Sequence, residues 1–379
     1  MRTKPADQSS LLATILLQLR GQHATSRSTL AKVTHLSPST VGIYVDHLIA
    51  LGYVIEGGLE QGKMGRPQRR LSLVQNAGWF AGVEFNAERI QAVRVDFAGK
   101  KDLSIHRPLP PEANTRMVLD EIKQAVVELS QSAPGKLLSM GVGVPGLVNP
   151  TTGVAMLYSF IPDWRDVPLV ADLRQDFPVH VTMENNLRAV ALAERWFGGG
   201  REMDDYVILG PRRGLGIAIM KNGQLVHGSH LAAGEIGRWP WPLSGNEKEL
   251  HDVLTAPAVW RRLSGAGPQA PLPPDLWSTL QLYAGSTGPE WKKVIADYAR
   301  VMSLLHLILD SKAYFLHGPL TVLGERFCQE ITQQVLQLTP VLRGMPPEIL
   351  PSTLGDEAGA LGAASLAMEA WTPESGTIR

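Results

Sequence analysis

Met140-Gly141-Val142-Gly143-Val144-Pro145-Gly146 reads as a Gly-bearing strand that runs into a turn, and its surroundings decide the fold. Residues 115–130, upstream of it, carry helical sequence. Further upstream, Ala81-Gly82-Val83-Glu84-Phe85 and Ile90-Gln91-Ala92-Val93-Arg94-Val95 read as adjacent strands, and Asp96-Phe97-Ala98-Gly99-Lys100 as a turn into a third. The same grammar returns downstream. Tyr206-Val207-Ile208-Leu209-Gly210, then Gly214-Leu215-Gly216-Ile217-Ala218-Ile219-Met220, then Leu225-Val226 form a second triple hairpin with a turn at Lys221-Asn222-Gly223. A helix over about 291–309 follows, and then another Gly-bearing strand, Phe315-Leu316-His317-Gly318. Two copies of hairpins, helix and strand predict two α/β lobes with a cleft between them, where ligands sit at strand ends and helix starts.

The first 75 residues follow a different pattern. Leu11, Leu12, Ile15, Leu16 and Leu19 recur at helical spacing, and Gly21 ends that helix. A short second helix over 28–34 turns Leu30 and Val33 inward. After a tight turn at His35-Leu36, Ser37 reads as an N-cap with Pro38 at the first helical position, where its missing N–H costs nothing. The third helix runs to about Leu51 and closes at Gly52. Its buried stripe is Val41, Val45, Leu48 and Ile49; Ser39, Thr40, Ile43 and His47 face the other way.

That is helix–turn–helix spacing, with the third helix as the major-groove reader. Ser37, Ser39 and Thr40 can reach phosphates or base edges, and an exposed Ile43 can meet a thymine methyl. Tyr53-Val54-Ile55, a Gly-rich turn and Arg70-Leu71-Ser72-Leu73 make a wing. Its basic tip supplies Lys63, Arg66 and Arg69, and the Gly65-Arg66-Pro67 step can lay one guanidinium into a narrow minor groove. The competing reading is a small protein-binding domain whose loop cations are merely solvated.

The expected domains are therefore residues 1–75 and 76–379. Of the 379 residues, 44% are hydrophobic and 19% charged, as in ordinary soluble globular proteins. The absence of an apolar run of about 18 residues argues against a membrane span. Met1 to Ser10 is polar and lacks the apolar core of a secretory signal. Cys328, the one cysteine, can form neither an intramolecular disulfide nor, alone, a thiolate zinc site; it reads as a buried small side chain. The expected compartment is the cytoplasm. Net charge is zero, yet residues 1–80 hold nine Lys and Arg against four acids. A basic head on an acidic body points to nucleic acid as the head's partner.

Four stretches carry a family resemblance: Gly141-Val142-Gly143-Val144-Pro145-Gly146-Leu147-Val148, Val181-Thr182-Met183-Glu184-Asn185-Asn186, Ala233-Gly234-Glu235-Ile236-Gly237, and Leu354 to Ala364. In order and spacing, over about residues 76–370, they resemble the ROK family of repressors and sugar kinases. The resemblance implies an actin-like, ribonuclease-H-like fold. The fused head, with Gly65-Arg66-Pro67, resembles the repressor branch.

Against the family pattern, the catalytic groups have changed. Where family kinases carry a proton-abstracting Asp, this chain has Asn186, and an amide is no useful base. Glu84-Phe85-Asn86 and Arg212-Arg213-Gly214 replace the Gly-rich phosphate turns. The zinc site's His position is Arg238 and its cysteine loop holds no cysteine, so neither a metal nor another cofactor is expected. The sugar-holding positions of the family map onto Asn185, Asn186, Glu235, Arg238 and His251, and Gly146 lets backbone approach a ligand. Arg238 with His251 would suit an acidic or phosphorylated sugar. The plainer alternative is that Arg238 pairs with a local acid as a structural clamp and the pocket binds nothing. Trp164 can line the pocket or simply pack, and Trp239 and Trp241 read as loop packing.

The expected function is a DNA-binding regulator, by default a repressor, of sugar-metabolism genes. A sugar or sugar derivative in the interlobe cleft would change its operator affinity. Paired half-sites imply a homodimer or tetramer. Two alternatives stay open: an active sugar kinase with a DNA-binding head, and a regulator controlled by a protein partner.

Overall fold

The computed structural model describes residues 8–21, 25–60, 68–241 and 248–373. The chain divides into two compact units, residues 1–186 with 363–379, and residues 187–362.

The first unit opens with α1 (Gln8–Arg20), α2 (Arg27–Thr34) and α3 (Pro38–Ala50), followed by an antiparallel ribbon of β1 (Val54–Glu60) and β2 (Gln68–Leu73). Leu12, Ile15, Leu16, Leu30, Val41, Val45 and Leu48 are fully buried. Tyr44 joins them while Ile49 is only half-buried, so the inner stripe of α3 sits slightly round from the expected one. Gly57 and Gly58 lie within β1, where the register shifts between Glu56 and Leu59. They form an irregularity in the ribbon, and residues 61–67, where the tip of the expected turn falls, lie outside the described residues. This is a winged helix–turn–helix.

Next, β3 (Trp79–Phe85), β4 (Arg89–Asp96) and β5 (Lys101–Pro108) form an antiparallel meander. After α4 (Thr115–Ser130), β6 (Leu137–Val144) pairs parallel with β3. A small sheet of β7 (Leu147–Asn149), β8 (Val154–Leu157) and β9 (Arg165–Val167) and the helix α5 (Leu169–Asp176) lead to β10 (His180–Asn185), parallel to β6. The large sheet has the order β10-β6-β3-β4-β5. Every residue of β3 is buried, which explains its nearly unbroken apolar sequence.

The second unit repeats the plan. Helix α6 (Asn186–Phe197) leads into β11 (Tyr206–Pro211), β12 (Leu215–Lys221) and β13 (Gln224–Leu225). Short strands β14 (Pro240–Trp241) and β15 (Lys248–Glu249) precede α7 (His251–Leu254), α8 (Ala256–Ser264), α9 (Leu276–Gln281) and α10 (Pro289–Leu309). Then come β16 (Ala313–Leu316), α11 (Gly324–Leu338) and β17 (Glu348–Pro351), and α12 (Ala358–Ala370) begins in this unit and returns the chain to the first at residue 363. The sheet order, β13-β12-β11-β16-β17, matches the first sheet strand for strand. A duplicated meander with two added parallel strands is the actin-like plan.

In the first unit the head is fastened to the lobe by Arg20, the last residue of α1. Its guanidinium carbon lies 4.9 Å from the centre of the Phe80 ring, 4.7 Å from Phe97 and 5.9 Å from Trp371. Nε donates to the Phe97 carbonyl at 3.0 Å and Nη1 to the Met368 carbonyl at 3.2 Å. Tyr53 stacks on Phe97 at 4.9 Å and meets Trp371 edge-on at 5.3 Å. Burial pushes the guanidinium down to about 9, with Asp96 opposing, so it stays charged at neutral pH. Burying a charge costs several kcal/mol, which the ring faces, at about 0.5–2 kcal/mol each, and the two carbonyls offset. Arg20→Ala should therefore lower stability by about 2–4 kcal/mol in urea unfolding, and Arg20→Met, which refills the space, by less. A silent Arg20→Ala would show that the cage contributes nothing.

Candidate functional site

In the head, Ser37 caps α3: its Oγ accepts from the Thr40 N–H at 3.1 Å and lies 2.8 Å from Ser39 Oγ and 2.7 Å from Thr40 Oγ1. The three hydroxyls therefore cluster at the helix N-terminus, where the backbone dipole also favours a phosphate. Ile43 is 51% exposed one turn further along. His47 departs from its expected role: it is half-buried, and its Nε2 is closed to solvent with no hydrogen-bond partner among the described residues. Arg69 is exposed on β2. Lys63 and Arg66 lie outside the described residues. Arg27, counted in the basic surplus, is committed internally, pairing with Asp46 at 2.6 Å and Glu56 at 3.0 Å. Burial pulls its guanidinium down, but those two carboxylates outweigh it and hold it above its ordinary value. It ties the start of α2 to α3 and β1.

In the first lobe, Asn185 ends β10 and Asn186 opens α6. Asn185 Nδ2 donates to the Gly146 carbonyl at 3.0 Å. Gly146 is demanded by its own backbone, with φ of 76° and a position where a Cβ would stand 2.1 Å from the Leu157 carbonyl oxygen. Its glycine thus has a structural cause independent of any ligand. Asn186 Nδ2 donates to Oε1 of Glu84, a fully buried carboxylate, at 3.2 Å. In one dimension Glu84 belongs only to an altered phosphate turn; the β3–β6–β10 register sets it opposite Asn186. That turn is closed on itself. Asn86 Oδ1 accepts the N–H groups of Glu88 at 2.7 Å and Arg89 at 3.0 Å, which leaves those two donors unavailable to a phosphate. The turn does not fit a nucleotide.

In the second unit, Arg188 reaches from α6 to the carbonyls of Leu231 at 2.8 Å and Ala233 at 3.2 Å, positioning the loop that ends in Glu235. No motif marks it in one dimension; the signal is only a cation in the first turn of a helix. Glu235 is exposed, but the surrounding chain desolvates its carboxyl and raises it above the ordinary value, against the pull of Arg188 and Arg238. Arg238 pairs with Glu249 at 3.0 Å, the clamp reading, while His251 Nδ1 accepts the Leu215 N–H at 3.0 Å. A Cβ on Gly237 would stand 2.4 Å from His251 Cε1, so the ring is wedged against that glycine. Desolvation, then Arg238, lowers its pKa, with Glu249 and Asp252 opposing. A neutral imidazole bonded to backbone and a compensated guanidinium leave little of the positive character expected at this pair. Nor do they fit zinc; the loop from Ser244 to Glu247 lies outside the described residues.

Trp164 is a core residue, 2% exposed, packed on Phe85 at 4.8 Å. Trp241 packs on the hydrophobic core of the second unit, whereas Trp239 is 41% exposed.

Two measurements follow. Asn186→Asp would replace the amide donor to Glu84 with a second acid and should cost about 1–3 kcal/mol in urea unfolding at pH 7.5. Equal stability would mean that the amide bond to Glu84 carries no weight. For His251 the folded-state pKa is depressed. Its contribution is complete above the ordinary imidazole value of about 6.5 and is lost as pH falls from there through the folded value. Thermal melts at pH 7.5 and 5 should show a smaller acid-induced drop for His251→Gln than for the parent chain; equal drops would place the acid sensitivity elsewhere.

Comparison with known proteins agrees with this architecture. The family model described as "ROK family" matches residues 80–370. The chain is 30% identical over 216 residues to the Xylose repressor of Caldicellulosiruptor bescii, covering 56% of this chain and about half, 54%, of that one. It is 26% identical over 374 residues to the Xylose repressor of Bacillus subtilis, covering 91% of each. A solved ROK family transcriptional regulator, a homologue of the E. coli MLC protein, superposes with a TM-score of 0.79 over 96% of both chains at 18% identity, which speaks for the fold. With a matching family model across most of its length and a duplicated actin-like body behind a winged helix, the chain belongs to the ROK family.

Proposed function

We propose that this chain is a sugar-responsive transcription regulator, a repressor of sugar-metabolism genes, in which residues 1–75 hold duplex DNA and residues 76–379 take a sugar without phosphorylating it. The observation that carries the reading is the amide of Asn186 bound to Glu84 where a kinase needs a free carboxylate base. The capped start of α3, with its hydroxyl cluster and exposed Ile43, supports DNA as the head's partner. Asn185, Asn186 and Glu235 are the groups proposed to meet sugar hydroxyls. Because Arg238 is compensated by Glu249 and His251 is committed to Leu215, a neutral sugar suits them better than an acidic one. The names of the repressor relatives make xylose the first to try. Paired operator half-sites call for a homodimer. No helix among the described residues is long and apolar enough to cross a membrane.

The test is selection of genomic fragments on the full chain, followed by fluorescence anisotropy on the best fragment with and without xylose, glucose and their phosphates. A neutral sugar should shift operator affinity. Ser39→Ala with Ile43→Ala should weaken binding about tenfold or more. A coupled ADP assay should detect no sugar-dependent turnover. Turnover by the unaltered chain, or no fragment held at moderate salt, would overturn the reading.

A further inference from the structure

Two neighbouring cavities in the first unit lie apart from every residue discussed as a sugar or DNA contact. One, about 330 Å³, has an apolar lining that includes Trp79 and Phe177. The other is an open cleft of about 1060 Å³ lined by Lys136, Arg174 and His180, with Tyr53 and Trp371 at its side. Both are lined by Lys136 and Val179, so they form one depression with an apolar end and a cationic end. Among the described residues, neither is lined by an aspartate or glutamate.

The polar end is assembled from separate elements: Lys136 from the approach to β6, Arg174 from α5, His180 from the start of β10. Lys136 and Arg174 are exposed, and Arg174 also donates to the Val181 carbonyl at 3.3 Å. Desolvation and the charge of Arg174 hold His180 below its ordinary value, so near neutrality its ring offers one donor and one acceptor. Lys136 and Arg174 on one wall attract an anion, and the adjoining apolar wall rewards a ligand that brings a hydrophobic group. The place is also notable mechanically. Tyr53 and Trp371 belong to the aromatic cluster around Arg20, and the Lys136 carbonyl accepts the Trp79 N–H at 3.0 Å just after the segment that joins head to lobe.

We propose that this depression binds a small amphipathic anion, its apolar group against Trp79 and Phe177 and its carboxylate or phosphate at Lys136 and Arg174, in contact with the joint between head and lobe. The site does not depend on the DNA or sugar reading.

The probe is 8-anilinonaphthalene-1-sulfonate, an apolar ring system with one anionic group, titrated into the full chain by fluorescence. Saturable binding at one site per chain is expected. Removing the two charges, Lys136→Ala with Arg174→Ala, should weaken it about tenfold or more, while Asn185→Ala leaves it unchanged. A thermal melt checks that the double variant is folded; the Lys136→Gln, Arg174→Gln pair replaces it if it is not. Octanoate or octyl phosphate should displace the probe, the stronger of the two identifying the preferred head group, and inorganic phosphate at equal concentration should not. The proposal fails if affinity survives charge removal in a folded variant, if Asn185→Ala abolishes it, if inorganic phosphate competes equally, or if binding does not saturate.

Discussion

A positive charge with almost no water around it sits where the winged helix meets the first lobe. Arg20 is 6% exposed, faces three aromatic rings and donates to two backbone carbonyls from distant parts of the chain. Such a group has few alternatives: withdrawn from the cage without reaching water, it would forfeit its compensation. It therefore holds α1 in one place relative to β3, β4 and the end of α12. A head attached only by a linker would be free to reorient; this one has a bolt as well. Any regulator built on this chain has to work through that junction.

The polar groups at the strand ends and turns of both units tell a consistent story. Asn186 donates to Glu84, Asn185 to Gly146, Asn86 closes its own turn, and His251 holds a backbone N–H. In a phosphoryl-transfer site such donors and acceptors face the substrate. Here most already have protein partners.

Charge illustrates where sequence reading and structure part company. The first 80 residues carry a surplus of positive charge, yet Arg20 is buried and Arg27 is locked to Asp46 and Glu56. What faces solvent among the described residues of the head is a smaller set, Lys32, Arg69 and Arg70. A count of charges cannot separate those that attract DNA from those that assemble the domain. The same holds for Glu84, which looks like a damaged loop residue in one dimension and is the partner of Asn186 in three. His47 follows this pattern as well: its position on α3 suggested an outward face, and packing closed off its Nε2.

The sequence by itself determined the helix–turn–helix order of the head, the duplicated hairpin–helix–strand plan, the Ser37-Pro38 cap and an amide at position 186. Each is a local matter of periodicity, capping chemistry or residue identity, and needs no partner from elsewhere in the chain. Tertiary structure decided which polar groups are already paired, which cations are buried, and that Tyr53, Phe80, Phe97 and Trp371 converge on Arg20. Those outcomes depend on contacts between residues up to 348 positions apart in the chain. Local propensity carries no information about such pairings, because they arise only when sheet register and helix packing bring the side chains together.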